Sequence, residues 1–177
     1  SWMKSKMIEL IKNYSEWYGL KYEICYFFNV YGPGQIMAGD YATVIGIFER
    51  QKNAGEDLTV VTPGTQSRDF THVYDVVEGV YKAAMRGLQG EWHLRSGVNV
   101  EIQEVAKMFN HSWKLIPERR GERFTSQEFP SDTEKKLQWK PMYKLKDWIK
   151  VNAYVSLLMF SLIFLNAVSI LLSNDVI

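Results

Sequence analysis

Two rhythms of apolar and polar residues run along this chain, and each change of rhythm marks an element. Met7, Leu10, Ile11, Tyr14, Trp17 and Tyr18 recur at the three-and-four spacing of an amphipathic helix that begins near Met3, and Gly19 follows where a left-handed cap ends it. Lys21 to Tyr31 is rich in aromatic and β-branched residues and predicts one buried strand. A second helix is expected over Ala42 to Ala54, with Val44, Ile45, Ile47 and Phe48 inward and Gly55 as its stop. Leu58 to Val61 predicts a strand, Thr62-Pro63-Gly64-Thr65 a turn, and the alternating run Arg68 to Val73 another strand. Asp75 and Glu78 have the spacing of a capping box for a helix through Met85, closed by Gly87.

The rest alternates in the same way. Glu91 to Leu94 reads as a strand, Glu101 to Phe109 as a short helix, and Lys114 to Ile116 as a strand before the charged loop Pro117 to Arg123. Asp132 is expected to cap a helix over Thr133 to Leu137 that Pro141 ends, and Tyr143 to Lys150 is a last amphipathic helix. Strands alternating with helices predict an α/β fold on a parallel sheet. Phe28, Asn29 and Tyr31 then stand where a strand runs into Gly32-Pro33-Gly34. That edge is where ligands bind in open α/β sheets.

Composition narrows the class without naming a chemistry. With 177 residues, 46% hydrophobic and 23% charged, the chain has the make-up of a globular domain. Its net charge of +1 gives nucleic acid no general attraction. Cys25 is the single cysteine, inside an apolar run, so no intramolecular disulfide forms, and a buried structural thiol in a reducing, cytoplasmic setting is expected. His72, His93 and His111 have no metal-ligand spacing, and no metal is assigned.

Four motifs in order carry a resemblance: Phe28-Asn29-Val30-Tyr31-Gly32-Pro33; Arg68-Asp69-Phe70-Thr71-His72-Val73 with Asp75; Arg119-Arg120-Gly121-Glu122; and Leu137-Gln138-Trp139-Lys140-Pro141. Together they resemble the extended short-chain dehydrogenase/reductases, specifically the NAD-dependent epimerase/dehydratase family in its UDP-glucose 4-epimerase-like branch. The resemblance covers about Ser1 to Ile149. It implies the C-terminal part of a Rossmann-type enzyme with its small substrate-binding region. NAD is then the cofactor of the complete enzyme and a nucleotide-diphosphate sugar its substrate; a homodimer is the family's common assembly.

Site roles follow from the resemblance residue by residue. Lys4 is placed as the lysine of the family's Tyr-x-x-x-Lys pair, catalytic and cofactor-binding, with the tyrosine one position before Ser1. Phe28 corresponds to the residue beside the nicotinamide and Asn29 to the one that bonds the substrate phosphates. Arg68 matches the substrate-binding arginine, Arg119 and Glu122 the loop that closes on phosphate and ribose, and Thr43 and Val44 the base end. A guanidinium suits phosphate because its paired donors match two oxygens. No Gly-x-Gly-x-x-Gly follows any predicted strand. Two positions depart from the family: Tyr26, often Arg, and Gln138, often Gly.

The chain starts at Ser1-Trp2-Met3 without an initiator Met, so an excerpt of a longer enzyme is expected. Residues 1–150 are the expected half-enzyme and 151–177 a separate tail. Val151 to Asn174 carries no charge over more than the roughly 20 residues that span a bilayer. It reads as a membrane anchor, as a hydrophobic helix packed on the domain or a partner, or as non-native sequence. Function is expected to be that of an epimerase fragment, with a 4,6-dehydratase fragment and a non-catalytic, membrane-anchored sugar-nucleotide or partner-binding domain as alternatives.

Overall fold

The computed structural model describes residues 2–118 and 131–152. Arg119, Glu122 and residues 153–177, with the expected hydrophobic helix, lie outside them. No helix among the described residues is long and apolar enough to cross a membrane.

Helix α1 (Trp2–Tyr18) ends where expected, at Gly19 with φ +69°. Its apolar stripe is not covered: none of its residues is buried, and Trp17 and Tyr18 are 61% and 74% exposed. A polar contact ties it to the sheet instead. Lys12 pairs with Glu91, and Glu91 Oε2 accepts from Tyr26 Oη at 2.5 Å. Burial and the neighbouring carboxylate push the Tyr26 phenol up to about 12.

The expected single strand over Lys21 to Tyr31 is two. β1 (Ile24–Phe27) and β2 (Asn29–Tyr31) are separated at Phe28, and each has a different partner. β1 pairs in parallel with β5 (Glu91–Leu94), whereas β2 pairs in parallel with β4 (Ser67–His72). β4 also pairs antiparallel with β6 (Asn99–Glu101), a strand too short to be read from its sequence. The third sheet is the parallel pair β3 (Leu58–Val61) and β7 (Trp113–Ile116). The fold is thus mixed α/β with mainly parallel pairing.

Helix α2 (Val44–Asn53) begins at Thr43, whose Oγ1 accepts from Gly46 N at 3.1 Å. Gly46 is needed for close approach: a Cβ there would stand 2.6 Å from Ile36 O. Ile45 and Phe48 join Tyr31, Leu58, Phe70 and Phe109 in the larger core, which also takes Leu145 and Ile149 from the helix at 145–152. Helix α4 (Ile102–Met108) closes it with Val105 and Ala106. The smaller core joins α3 (Val73–Arg86), β5 and α5 (Thr133–Leu137) through Ala83, Trp92, Leu94, Leu137 and Trp139; half-buried Cys25 packs against it. Burial and nearby Glu23 push the Cys25 thiol up, as for an inert structural group.

Five local expectations are corrected. β4 does not alternate: its last four residues, Asp69 to His72, are all buried, because Asp69 and Thr71 have partners on their own side of the sheet. α3 is capped by His72, whose Nδ1 accepts from Tyr74 N at 3.2 Å, and Asp75 does not serve a capping box. Its buried carboxylate accepts from Met142 N at 2.9 Å and Tyr143 N at 3.0 Å, and its carbonyl from Trp139 Nε1 at 2.9 Å. Asp132 makes no cap to α5 and pairs with Lys136; Ser131 Oγ accepts from Thr133 N instead. α5 ends before Pro141 is reached, at Gln138 in the left-handed region (φ +49°), and the last helix starts at 145, two residues after Tyr143.

The left-handed Gln138 accounts for the glycine usual at that place. Gln138→Gly is expected to stabilise the chain by up to about 1 kcal/mol, read as a higher Tm, because the side chain strains this conformation.

His72 is 1% exposed, and its ring lies 4.3 Å from Tyr143, 5.1 Å from Trp148 and 5.2 Å from Tyr31. Nε2 has no hydrogen-bond partner among the described residues, and burial lowers its pKa below 6.5 against the smaller opposing pull of Asp75. A depressed histidine contributes stability that is complete above the unfolded value and is lost as pH falls through the folded one. Urea midpoints from pH 7.5 to 5 are therefore expected to fall more steeply in the parent chain than in His72→Phe; equal slopes would refute the assignment.

Candidate functional site

The chain's change of partner at Phe28 opens a gap at the carboxyl end of β1. Parallel strands that diverge leave a crevice there, the usual ligand position in α/β sheets. A cavity of about 600 Å³ fills it, walled by the β1–β2 junction, β3, β4 and the start of α2. Phe28, Asn29, Thr43, Val44 and Arg68, named from sequence, all line it. Lys4 does not line it and is exposed on the first turn of α1. Residues missed by sequence reading are Thr59, Val61 and Gln66, which lie in ordinary strand and turn patterns with no motif signal, and Phe70, which stands in the Arg68-Asp69-Phe70 motif but was given no site role.

Each polar group is held by an identifiable neighbour. Asn29 Nδ2 donates to Asp69 O at 3.1 Å, which fixes the amide where the strand breaks. Arg68 Nη1 donates to Ser67 O at 2.8 Å. Thr43 divides its hydroxyl between the Gly46 N–H and Gln35 Oε1 (3.1 Å), so its first role is to shape the α2 wall. Buried Gln66 donates from Nε2 to Val61 O at 2.9 Å and closes the turn that contains the cis Thr62–Pro63 bond.

Asp69, beside Arg68 in sequence, turns the other way. Its Oδ1 accepts from Ser96 N at 2.8 Å and Ser96 Oγ at 2.7 Å, and its Oδ2 from Gly97 N at 2.8 Å. The acid of the Arg-Asp-Phe run is therefore a tie between β4 and the loop that follows β5. Among the described residues lining the cavity, Arg68 is the one charged side chain. A guanidinium on an otherwise uncharged, largely apolar wall suits an anionic ligand with an apolar or aromatic part.

The NAD dependent epimerase/dehydratase family profile matches residues 1–94, more than half of the 177. The chain belongs to this family. It is 34% identical over 122 residues to a UDP-N-acetyl-alpha-D-glucosaminuronate decarboxylase of Bacillus cytotoxicus, covering 58% of this chain and 38% of the relative. To a putative UDP-glucose 4-epimerase of Methanocaldococcus jannaschii it is 31% identical over 153 residues, covering 80% and 48%. The solved UDP-N-acetylglucosamine 4-epimerase of Methanobrevibacter ruminantium M1, in complex with UDP-N-acetylmuramic acid, superposes with a TM-score of 0.76 at 26% identity, covering 83% of this chain and 51% of that one. This chain thus spans less than half the length of these two curated relatives.

NAD is the cofactor in the family's name, and the described strand-to-helix turns contain no glycine-rich pyrophosphate cradle for it. β4 enters α3 directly at His72, β6 enters α4 directly at Glu101, and Gly32-Pro33-Gly34 leads into a loop that reaches α2 only at Thr43. None of these is a glycine-rich turn that opens a helix to a pyrophosphate. The cavity and the cofactor fingerprint are separable, and the described residues contain the first.

Asp69→Ala would remove the buried carboxylate that accepts from three donors of half-buried Ser96 and exposed Gly97. A loss of roughly 2–4 kcal/mol is expected, checked by chemical denaturation, against less than about 0.5 kcal/mol for Glu104→Ala in the exposed Glu104–Lys107 pair.

Proposed function

We propose that this chain supplies the nucleotide-sugar-binding part of an NAD-dependent enzyme that acts on UDP-sugars. The observation that carries this is the meeting of Asn29 and Arg68 in a cavity of about 600 Å³ whose described lining has no carboxylate. Arg68 is assigned to the diphosphate, with Asn29 as a neutral donor beside it. The apolar reach of α2 and β3, from Val44 to Val61, takes the base. Phe28 is assigned to the side of the cavity nearest the cofactor of the complete enzyme.

Lys4 keeps the role given by the resemblance, support of a catalytic tyrosine and of the nicotinamide ribose, in the complete enzyme. Arg119 and Glu122 are assigned to closure over the nucleotide. Epimerisation at the sugar C4 is the favoured reaction of the parent, with decarboxylation and 4,6-dehydration as the related outcomes. No step is assigned to this chain by itself, because its described residues hold no cofactor cradle.

Calorimetric titration with UDP and UDP-glucose tests the reading. Binding is expected in the parent chain, and Arg68→Ala is expected to weaken it at least tenfold, the size of one charge-assisted contact. Asn29→Ala should weaken it severalfold. No heat with either ligand, or equal affinity in Arg68→Ala, would sink the assignment.

A further inference from the structure

Glu49 lies outside the cavity, yet three side chains from two segments converge on it. It sits half-buried on α2, one residue after the cavity residue Phe48. Its Oε2 accepts from Gln35 Nε2 at 2.7 Å, and its Oε1 accepts from Trp148 Nε1 at 3.3 Å and Asn152 Nδ2 at 3.5 Å. All three partners are uncharged donors. Burial raises the Glu49 pKa, and the three hydrogen bonds oppose that rise.

Gln35 continues the connection. Its Oε1 accepts from Thr43 Oγ1, the same hydroxyl that caps α2 and lines the cavity, while Thr43 N donates to Ile36 O at 3.0 Å. A hydrogen-bonded path therefore runs from helix 145–152 through Glu49 and Gln35 to the cavity wall. Packing follows the same path: the Trp148 ring meets Tyr31 and His72, next to the loop that carries Gln35. A site's geometry depends on such supporting contacts, because a wall displaced by about 1 Å loses much of its binding energy.

We propose that Glu49 is a positioning residue for the cavity, coupling the docking of helix 145–152 to ligand binding at the α2 wall. The proposal rests on the reading of the cavity as a nucleotide site. A glutamine in its place turns a donor towards at least one of the three donors unless Gln35 or Asn152 flips its amide, whereas a carboxylate satisfies all of them as they stand.

The test is UDP titration of the full chain, with amide hydrogen exchange measured in the absence of ligand. Trp148→Phe removes the indole N–H and keeps an aromatic ring; it is expected to lower UDP affinity about threefold and to speed exchange at Thr43 and Gly46. Gln35→Ala and Glu49→Gln should each lower affinity about tenfold, and the Gln35→Ala/Trp148→Phe pair should be no worse than Gln35→Ala alone. A purely structural role would lower Tm without this non-additivity in affinity. Parental affinity in all three variants, or additive losses, overturns the coupling. If the parent chain binds no UDP, the nucleotide reading falls and the positioning role with it, whereas unchanged exchange in Trp148→Phe with UDP still bound overturns the coupling alone.

Discussion

The structure depends on one constraint, that the run from Ile24 to Tyr31 must serve two sheets at once. Parallel strands need partners on the same level, and β5 and β4 are not neighbours in one sheet. The chain satisfies both by releasing β5 at Phe27 and taking up β4 at Asn29. The residue between is left without a ladder partner, and the opening beside it becomes the cavity. Binding geometry here is a by-product of pairing geometry.

Two buried aspartates make that arrangement rigid by gathering neutral donors from distant segments. Asp69 gathers donors from Ser96 and Gly97, and Asp75 gathers the backbone of Met142 and Tyr143. Each carboxylate gives backbone N–H groups an acceptor that no neighbouring strand or helix supplies. Each one joins segments far apart in sequence, and so holds the two cores in register around the crevice.

Element positions were largely legible in the sequence because periodicity and glycine punctuation agree: β3 and β5 have their expected limits, and Gly19 and Gly87 end their helices. What was not legible was partnership. The aromatic run Lys21 to Tyr31 has no local sign of the break at Phe28, which arises from two strands much further along the chain, β4 and β5. Asp75 illustrates the same limit, since its spacing to Glu78 mimics a capping box while its true partners come from residues 142 and 143. Among the site residues, Asn29 and Arg68 were found through motif resemblance, whereas Thr59, Val61 and Gln66 line the cavity only because of tertiary placement. Gln35 and Glu49 are ordinary polar residues in sequence, and only their hydrogen bonds distinguish them.

The split strand also sets an order of events during biosynthesis. Ile24 pairs with Glu91 and Asn29 with Phe70, so the segment bearing Phe28 leaves the ribosome well before either partner. At about 5–20 residues per second the wait for β5 lasts on the order of several seconds. Through that interval Tyr26 and Phe27 lack the β5 strand that they pair with, and the ligand crevice cannot take its final form.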